Sequence, residues 1–348
     1  MGKFKLWRLG LLALLLAFSG CGLVDELTGD EELVVEIPRG GAVTQSVTVE
    51  LPNPETGELA ADVMWLVDLS GSFYDDLDNW RTQTQAIAEA LDAVVPNFRV
   101  ALSSFVDAPC GDFGDPESGD YGYRLELAFS DDIEAFSQKV DELAVASGLD
   151  EPESQLEAMY QAMTGAGRSV SGDCAGASIP VTYPDWGSER LRFLLVSTDA
   201  SFHTPEDLGY PYPTTAEDVI ATAEREGVRI VFMNSGSVDP AAETIAEATG
   251  GAVFDVGSDS AELVDAIREA VSGAVTDAVV RLVPVGDEGL VQEISPSEQR
   301  VDLRETRSIT FQVTFTDSGV SADEVHFVLE LRVNGSLIAE IPVRVVLR

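Results

Sequence analysis

Asp68, Ser70 and Ser72 stand at alternate positions in the stretch DLSGSFYDD, and Asp75 and Asp76 close it. Alternate residues of an extended chain point the same way, so the first three can aim their oxygens into one space. Carboxylate and hydroxyl oxygens converging on a point are the donor set of a hard divalent cation. Mg2+ asks for about six oxygens in a tight octahedron, whereas Ca2+ accepts more ligands and looser geometry. The competing reading is helix capping, because Asp and Ser are favoured just ahead of a first helical turn. Two further acids bear on the choice: Asp199, in LRFLLVSTDASFHT, and Glu153, in GLDEPES.

The elements around these residues decide whether they can meet. The run VMWLV before Asp68 is continuously apolar, as in a strand buried on both faces of a parallel sheet. Leu77, Trp80, Thr84, Ile87, Leu91 and Val94 then mark one face of a helix over 76–95. Strands at 98–106, 123–129, 191–197, 228–234 and 252–256 alternate with helices at 131–146, 154–165, 214–226, 239–249 and 259–273. That alternation predicts a doubly wound, mainly parallel α/β sheet. Ligands of such sheets bind beyond the carboxyl ends of the strands. Asp68 and Asp199 both leave strands at that edge, and Glu153, just ahead of a helix, is delivered to it. Beyond 276 the chain reverts to alternating strands, matched before the α/β region by LVVEI and QSVTVEL. The simplest architecture inserts an α/β domain, 61–275, into an all-β sandwich built from 33–60 and 276–348. The segment 166–190 is long for a loop and is left unassigned.

The chain has 348 residues, 45% hydrophobic and 24% charged, which describes a folded globular protein. Its formal net charge of −40 excludes a nucleic-acid binder, which needs a basic surface. It favours solubility and the attraction of cations, although a dispersed acidic surface does so too. MGKFKLWR supplies a positive leader and LGLLALLLAF an apolar segment that ends at SGC. This segment is shorter than the roughly 20 residues that span a bilayer. The pattern resembles a bacterial lipoprotein signal. It implies removal of 1–20, lipid on Cys21, a polar tether over 21–32, and export to the cell envelope with lipid as the sole membrane contact. Cys110 and Cys174 remain as an even pair able to form a disulfide in an oxidising compartment, without spacing that fixes it.

DLSGSFYDDLDN resembles the metal-ion-dependent adhesion motif, D-x-S-x-S, of the I-like domain of integrin β subunits, a branch of the von Willebrand factor A domains. It also matches the two acids that follow the motif there. The resemblance implies a first site for Mg2+, or Mn2+, made by Asp68, Ser70, Ser72, Glu153 and Asp199. It implies an adjacent Ca2+ site made by Asp75, Asp76 and a backbone carbonyl near Ser258. ALSSFVDAP and GLDEPE resemble the stretches of a third site, here Asp107, Asp150, the carbonyl of Pro152, and Glu153 as a bridge to the first. The family carries asparagine where this chain has Gly148, so the third set lacks a side-chain ligand and its ion stays unassigned. Asp112, Asp115 and Asp120 are read as solvated loop acids. The resemblance runs from about residue 33 to 348, because integrin β chains also insert this domain into a hybrid β-sandwich.

Cation-dependent adhesion leads among the functions. A partner protein's exposed acidic residue would complete the metal's shell, and integrins open the question of a propeller-like partner subunit. A helix over 259–273 that runs straight into the sandwich could pass a shift near the metal to the neighbouring domain. The alternative is a constitutive envelope assembly or scaffold subunit that holds a partner complex. Enzyme chemistry finds little support. With His203 and His326 as the two histidines, no H-E-x-x-H motif can be written. No G-x-S-x-G elbow, Walker A loop or G-x-G-x-x-G fingerprint occurs. No catalytic residue is assigned. His203, four residues after Asp199, is expected to pack or to face solvent.

Overall fold

The computed structural model describes residues 32–258 and 260–348, together with the backbone of Val24–Glu26. The leader 1–20, Cys21 and most of the expected tether lie outside these residues. Three strands come first, β1 (Val24–Glu26), β2 (Leu33–Ile37) and β3 (Ala42–Glu50). The α/β region follows with β4 (Ala60–Asp68), α1 (Tyr74–Asp92), β5 (Asn97–Phe105), β6 (Arg124–Ser130), α2 (Ile133–Glu142) and α3 (Gln155–Thr164). It continues with β7 (Leu191–Thr198), α4 (Ala216–Glu226), β8 (Val228–Asn234), α5 (Pro240–Thr249), β9 (Val253–Asp255) and α6 (Leu263–Thr276). Last come β10 (Ala278–Val285), β11 (Val291–Ser295), β12 (Gln299–Val301), β13 (Ser308–Thr316), β14 (Glu324–Val333) and β15 (Ser336–Leu347).

The α/β sheet has the order β6-β5-β4-β7-β8-β9, parallel except for β6, which runs antiparallel to β5. All nine residues of β4 are buried, as its apolar run requires. Its side chains divide by parity between two cores. Val63, Trp65 and Val67 join Trp80 and Ile87 of α1, Phe136 of α2 and Ile267 of α6. Met64 and Leu66 join Leu156 and Met159 of α3, Val219 of α4 and Ile245 of α5. Trp65 meets Trp80 edge-on at 5.0 Å and stacks on Phe136 at 5.4 Å. Helices therefore cover both faces, and the polar ends of the strands are free to make a site.

The remaining strands form two facing sheets, β1-β3-β13-β11 and β12-β10-β14-β15-β2. β14 alternates exposed and buried residues, the mark of a strand with one face on a core. Both chain flanks share each sheet: β2 pairs with β15, and β3 with β13. The fold class is thus a doubly wound sheet together with an all-β sandwich. Asn334 Nδ2 donates to the Ala274 carbonyl of α6 at 2.7 Å, and Leu303 N to the Val275 carbonyl at 3.0 Å. These bonds fasten the end of α6 to the sandwich. No helix among the described residues is long and apolar enough to cross a membrane.

The segment 166–190 docks on the α/β region through irregular structure. Arg168 and Ile179 form a β-bridge, a short 3-10 turn spans Gly172–Ala177, and Cys174 is bonded to Cys110. Arg168 also grips buried Glu157 with two hydrogen bonds, at 2.9 and 2.8 Å.

At the amino end of the central strand, fully buried Asp62 accepts from Arg99 Nε at 2.9 Å, Arg99 Nη2 at 2.6 Å, Arg190 Nε at 2.5 Å and Gly187 N at 2.7 Å. Removing one partner of a buried pair leaves the other charge uncompensated, at a cost on the order of 3–5 kcal/mol. Asp62→Ala should lower unfolding stability by about that amount in urea titrations. Cation binding at the opposite end of the sheet should survive wherever the variant is folded.

Candidate metal centre

The parallel strands β4, β5 and β7 run in register, so their carboxyl ends place Asp68, Asp107 and Asp199 at one edge. Asp68 is the last residue of β4 and is fully buried. Its Oδ1 accepts from Ser70 N at 2.9 Å and its Oδ2 from Thr198 Oγ1 at 2.7 Å. Thr198 is itself held by Gln155 Nε2 at 2.9 Å. The oxygens then run on in a chain: Ser70 Oγ lies 3.2 Å from Ser72 Oγ, and Ser72 Oγ donates to Asp199 Oδ1 at 3.0 Å. Ser70 has a β-region backbone but makes no side-chain cap bond to the turn that follows. Helix capping therefore does not account for its hydroxyl.

Backbone hydrogen bonds stitch the loops around this edge. Leu69 N donates to Phe105 O at 2.8 Å, Ala146 N to Leu69 O at 2.7 Å, and Gly71 N to Ser147 O at 3.1 Å. Glu153 pairs with the loop after β7, donating its N–H to Ser201 O at 2.9 Å and accepting from His203 N at 2.8 Å. That pairing brings Glu153 to the sheet edge with 3% exposure, and its Oε2 has no hydrogen-bond partner among the described residues. Gly148 has φ +54°, and a Cβ there would meet Glu153 Oε1 at 2.4 Å. The bare residue thus makes room for Glu153, where the family pattern carries asparagine. Asp120 is not the solvated acid expected. It is buried because its carboxylate organises the loop, accepting from Ser147 N at 2.9 Å and Asp115 N at 2.7 Å.

Crowding these acids raises their proton affinity. Burial, with the Asp199 charge added, pushes the Asp68 carboxyl up to about 7. Burial and then the charges of Asp68 and Asp107 push Glu153 up to about 11. Asp199 and Asp107 are raised chiefly by burial as well. Carboxyl groups so placed are satisfied by protons or by a cation. Carboxylates, hydroxyls and an orphaned, buried Glu153 oxygen are the donors a hard divalent ion takes.

The acids that follow the motif separate in the structure. Asp75 is exposed on the first turn of α1, whereas Asp76 is buried and accepts from Ser260 Oγ at 2.6 Å. Burial pushes Asp76 up to about 6. Ser258, named for its carbonyl, is exposed in the turn after β9; the serine whose side chain reaches Asp76 is Ser260.

The third set gathers around a histidine that sequence reasoning left as a packing or solvent-facing residue. His203 is 2% exposed, with its ring edge-on to Phe113 at 4.9 Å and stacked on Tyr210 at 4.6 Å. Its Nε2 lies 3.3 Å from Asp107 Oδ2 and 3.6 Å from Asp150 Oδ1, and its Nδ1 lies 2.9 Å from Asp207 Oδ2. Burial disfavours the charged ring, but Asp107, Asp207 and Asp150 together outweigh it and hold His203 up to about 9. Asp150 is exposed and Pro152 half-buried beside it.

An open sheet covered by helices on both faces, with carboxyl and hydroxyl side chains gathered at its carboxyl edge, is the architecture of a von Willebrand factor A-type domain. The integrin beta chain VWA domain family matches residues 57–279, and the chain belongs to that family. Integrin beta pat-3 of Caenorhabditis elegans is 24% identical over 216 residues, covering 59% of this chain and 24% of the relative. Integrin beta-PS of Drosophila melanogaster is 27% identical over 180 residues, covering 47% of this chain and 19% of the relative. The chain thus matches about a quarter or less of the length of these relatives. The solved SpRpn10 VWA domain is similar at 13% identity and a TM-score of 0.37, over 60% of this chain and 93% of that one.

The raised carboxyls give a pH dependence whose sign is fixed. Asp68 holds its proton up to about 7 when folded, against 3.8 ordinarily, so the cation-free fold loses stability as pH rises through that window. His203, held up to about 9 against 6.5, acts in the same direction at higher pH. In chelator, the unfolding midpoint of the native protein should fall between pH 5 and 7 relative to Asp68→Asn. Added Mg2+ should raise it more at pH 8 than at pH 5, since protons and cation compete. Parallel pH profiles for the two proteins would contradict this.

Proposed function

We propose that this protein binds a partner protein through a divalent cation held at the Asp68 cluster. The observation that carries the reading is the continuous set of oxygens from Asp68 through Ser70 and Ser72 to Asp199, beside the buried, unpartnered Glu153 Oε2. Asp68, Ser70 and Ser72 would hold Mg2+ or Mn2+ from one side, with Glu153 and Asp199 completing its surroundings. Asp68 is the one carboxylate among the three residues holding the ion directly, so the ion when bound would keep an electrophilic open position for an acidic side chain of the partner. Thr198 and Ser70 N fix the Asp68 carboxylate in place, and Gln155 fixes Thr198. Asp75 and Asp76, with a carbonyl near Ser258, form an adjacent set suited to Ca2+. Asp107, Asp150 and the Pro152 carbonyl form the third. Family membership supports adhesion-type binding without chemical turnover.

The α/β domain, 61–275, works within a sandwich assembled from 33–60 and 276–348. Ser260 bonds to Asp76 and precedes α6, whose far end is fastened to the sandwich at Ala274 and Val275. A change at the cation cluster can therefore reach the sandwich through one helix. Export and lipid attachment at Cys21, placing the protein at a bacterial cell envelope, rest on the leader pattern.

Calorimetric titration of Mg2+, Ca2+ and Mn2+ into protein lacking residues 1–21, beside Asp68→Ala, tests the reading. Saturable binding that loses one site in the folded variant is expected. Equal, weak and salt-sensitive heats from both proteins would reduce the cluster to a diffuse acidic surface and remove the mechanism.

A further inference from the structure

Four arginines lie at the amino ends of the α/β strands, and three of them are engaged. Arg99 and Arg190 share the Asp62 carboxylate, and Arg192 donates to the carbonyls of Gly187 and Glu226. Arg229, the second residue of β8, is the exception. Its Nε is buried without a hydrogen-bond partner, and its guanidinium makes no ion pair, among the described residues. The end of α5 lies against it, since a Cβ on Gly250 would come within 3.5 Å of Arg229 Nη2. A helix C-terminus offers a cation partial negative charge. The carbonyls of Ala246 and Glu247 are nevertheless already engaged, accepting from Gly250 N and Gly251 N. Burial draws Arg229 down to about 10 against the pull of Asp277, whereas the bond to Asp62 raises Arg99.

Arg229 lines a groove of about 580 Å3 whose other wall is the outer side of a sandwich sheet. Val280, Leu282, Leu331 and Val333 of β10 and β14 belong to the core, so the alternate residues Arg281 and Arg332 point away from it. These two arginines are directly opposed across the strands, and Arg300 of β12 opposes Val279 on the same side. Like charges in directly opposed positions destabilise a sheet. Each of the three has an acid: Arg281 pairs with Glu298, Arg300 with Asp277 and Arg332 with Glu330. Those pairs leave the charge of Arg229 over. Glu224 and Glu247 are exposed at the rim, and neither forms an ion pair with an arginine of the groove among the described residues. Four of the 21 basic residues of a chain with 61 acidic ones thus surround one groove, a concentration that an even spread of charge does not explain.

We propose that this groove binds a small organic oxyanion with two or more negative charges, a phosphate ester or a polycarboxylate, with Arg229 as its anchor. Guanidinium groups meet phosphate and carboxylate oxygens through paired N–H donors. The volume falls in the range of small-molecule sites and exceeds what a lone inorganic ion fills. Arg229 belongs to the α/β region, and Arg281, Arg300 and Arg332 belong to the sandwich, so the bound anion bridges the two. The site lies at the opposite end of the sheet from Asp68 and needs no cation there.

Calorimetric titration of pyrophosphate and of citrate into the full chain, in buffer free of divalent ions and chelator and at constant ionic strength, tests the assignment. Pyrophosphate, citrate or both should bind saturably, one per chain, and whichever binds identifies the ligand as phosphate or carboxylate. Acetate, with a single charge, should give no saturable heat. Arg229→Gln should weaken binding by about tenfold or more, the worth of a hydrogen bond to a charged group. Asp68→Ala should leave it unchanged. Should Arg229→Gln fail to fold, as judged by circular dichroism, the exposed substitutions Arg281→Gln and Arg300→Gln, combined, should show the loss instead. No saturable binding of either probe overturns the assignment. Native affinity in folded Arg229→Gln, or in the combined variant, does so equally.

Discussion

Taking a carboxylate out of water costs several kcal/mol unless a counter-charge or a proton replaces the solvent. This chain takes Asp68, Asp107 and Glu153 out of water together, each 3% exposed or less, at one edge of one sheet. Their repulsion adds to the desolvation, which is why Glu153, between the other two, is pushed highest. The loops that cross the edge are consequently tied by backbone bonds that do not depend on charge. Glu153 is pinned to Ser201 and His203, and Gly71 to Ser147. A scaffold of that kind can hold acids close while their neutralisation comes and goes.

The central strand shows two solutions to the same problem. Asp62 and Asp68 sit near opposite ends of β4, and both are fully buried. Asp62 is neutralised by Arg99 and Arg190, guanidinium groups that never lose their charge in ordinary conditions. Asp68 receives hydroxyl and amide donors, and its nearest charged neighbours are other acids. The first arrangement is permanent and belongs to the fold. The second is completed from outside by protons or a cation, which makes it responsive to its surroundings.

Much of this was legible in the sequence, for a physical reason. A strand buried on both faces must be apolar throughout, so VMWLV announced β4, and the parallel alternation fixed which ends of the strands share an edge. What followed from strand exits could therefore be read: Asp68 and Asp199 at one edge, with Glu153 at a helix start. Features that depend on loop packing could not. His203 carries no periodic signal, and its burial comes from Phe113 and Tyr210, which are far from one another along the chain. Only the residues STDASFHT, with His203 four places after Asp199, offered a hint. Asp120 was read as solvated because its loop is polar, yet it is buried by the amide groups it organises. The segment 166–190 escaped because a bridge, a 3-10 turn and a covalent link leave no period to count. Ser260, whose hydroxyl reaches Asp76, was not singled out, because a turn residue carries no periodic signal.

The global charge constrains what recognition at this edge can be. A chain with a net charge of −40 repels an acidic partner at long range, although physiological salt screens that repulsion beyond about 8 Å. Electrostatic steering therefore works against the partner class that the Asp68 cluster suits. Under the proposed function, attraction arises within a coordination shell, where a divalent ion would meet a partner carboxylate directly, while Thr198 and Ser70 N hold Asp68 and Ser154 holds Asp107. The same field concentrates cations at the surface, so the chain's charge favours the ion while opposing the partner. Under the proposed function, specificity resides in the geometry of a few oxygens rather than in any complementary charged surface.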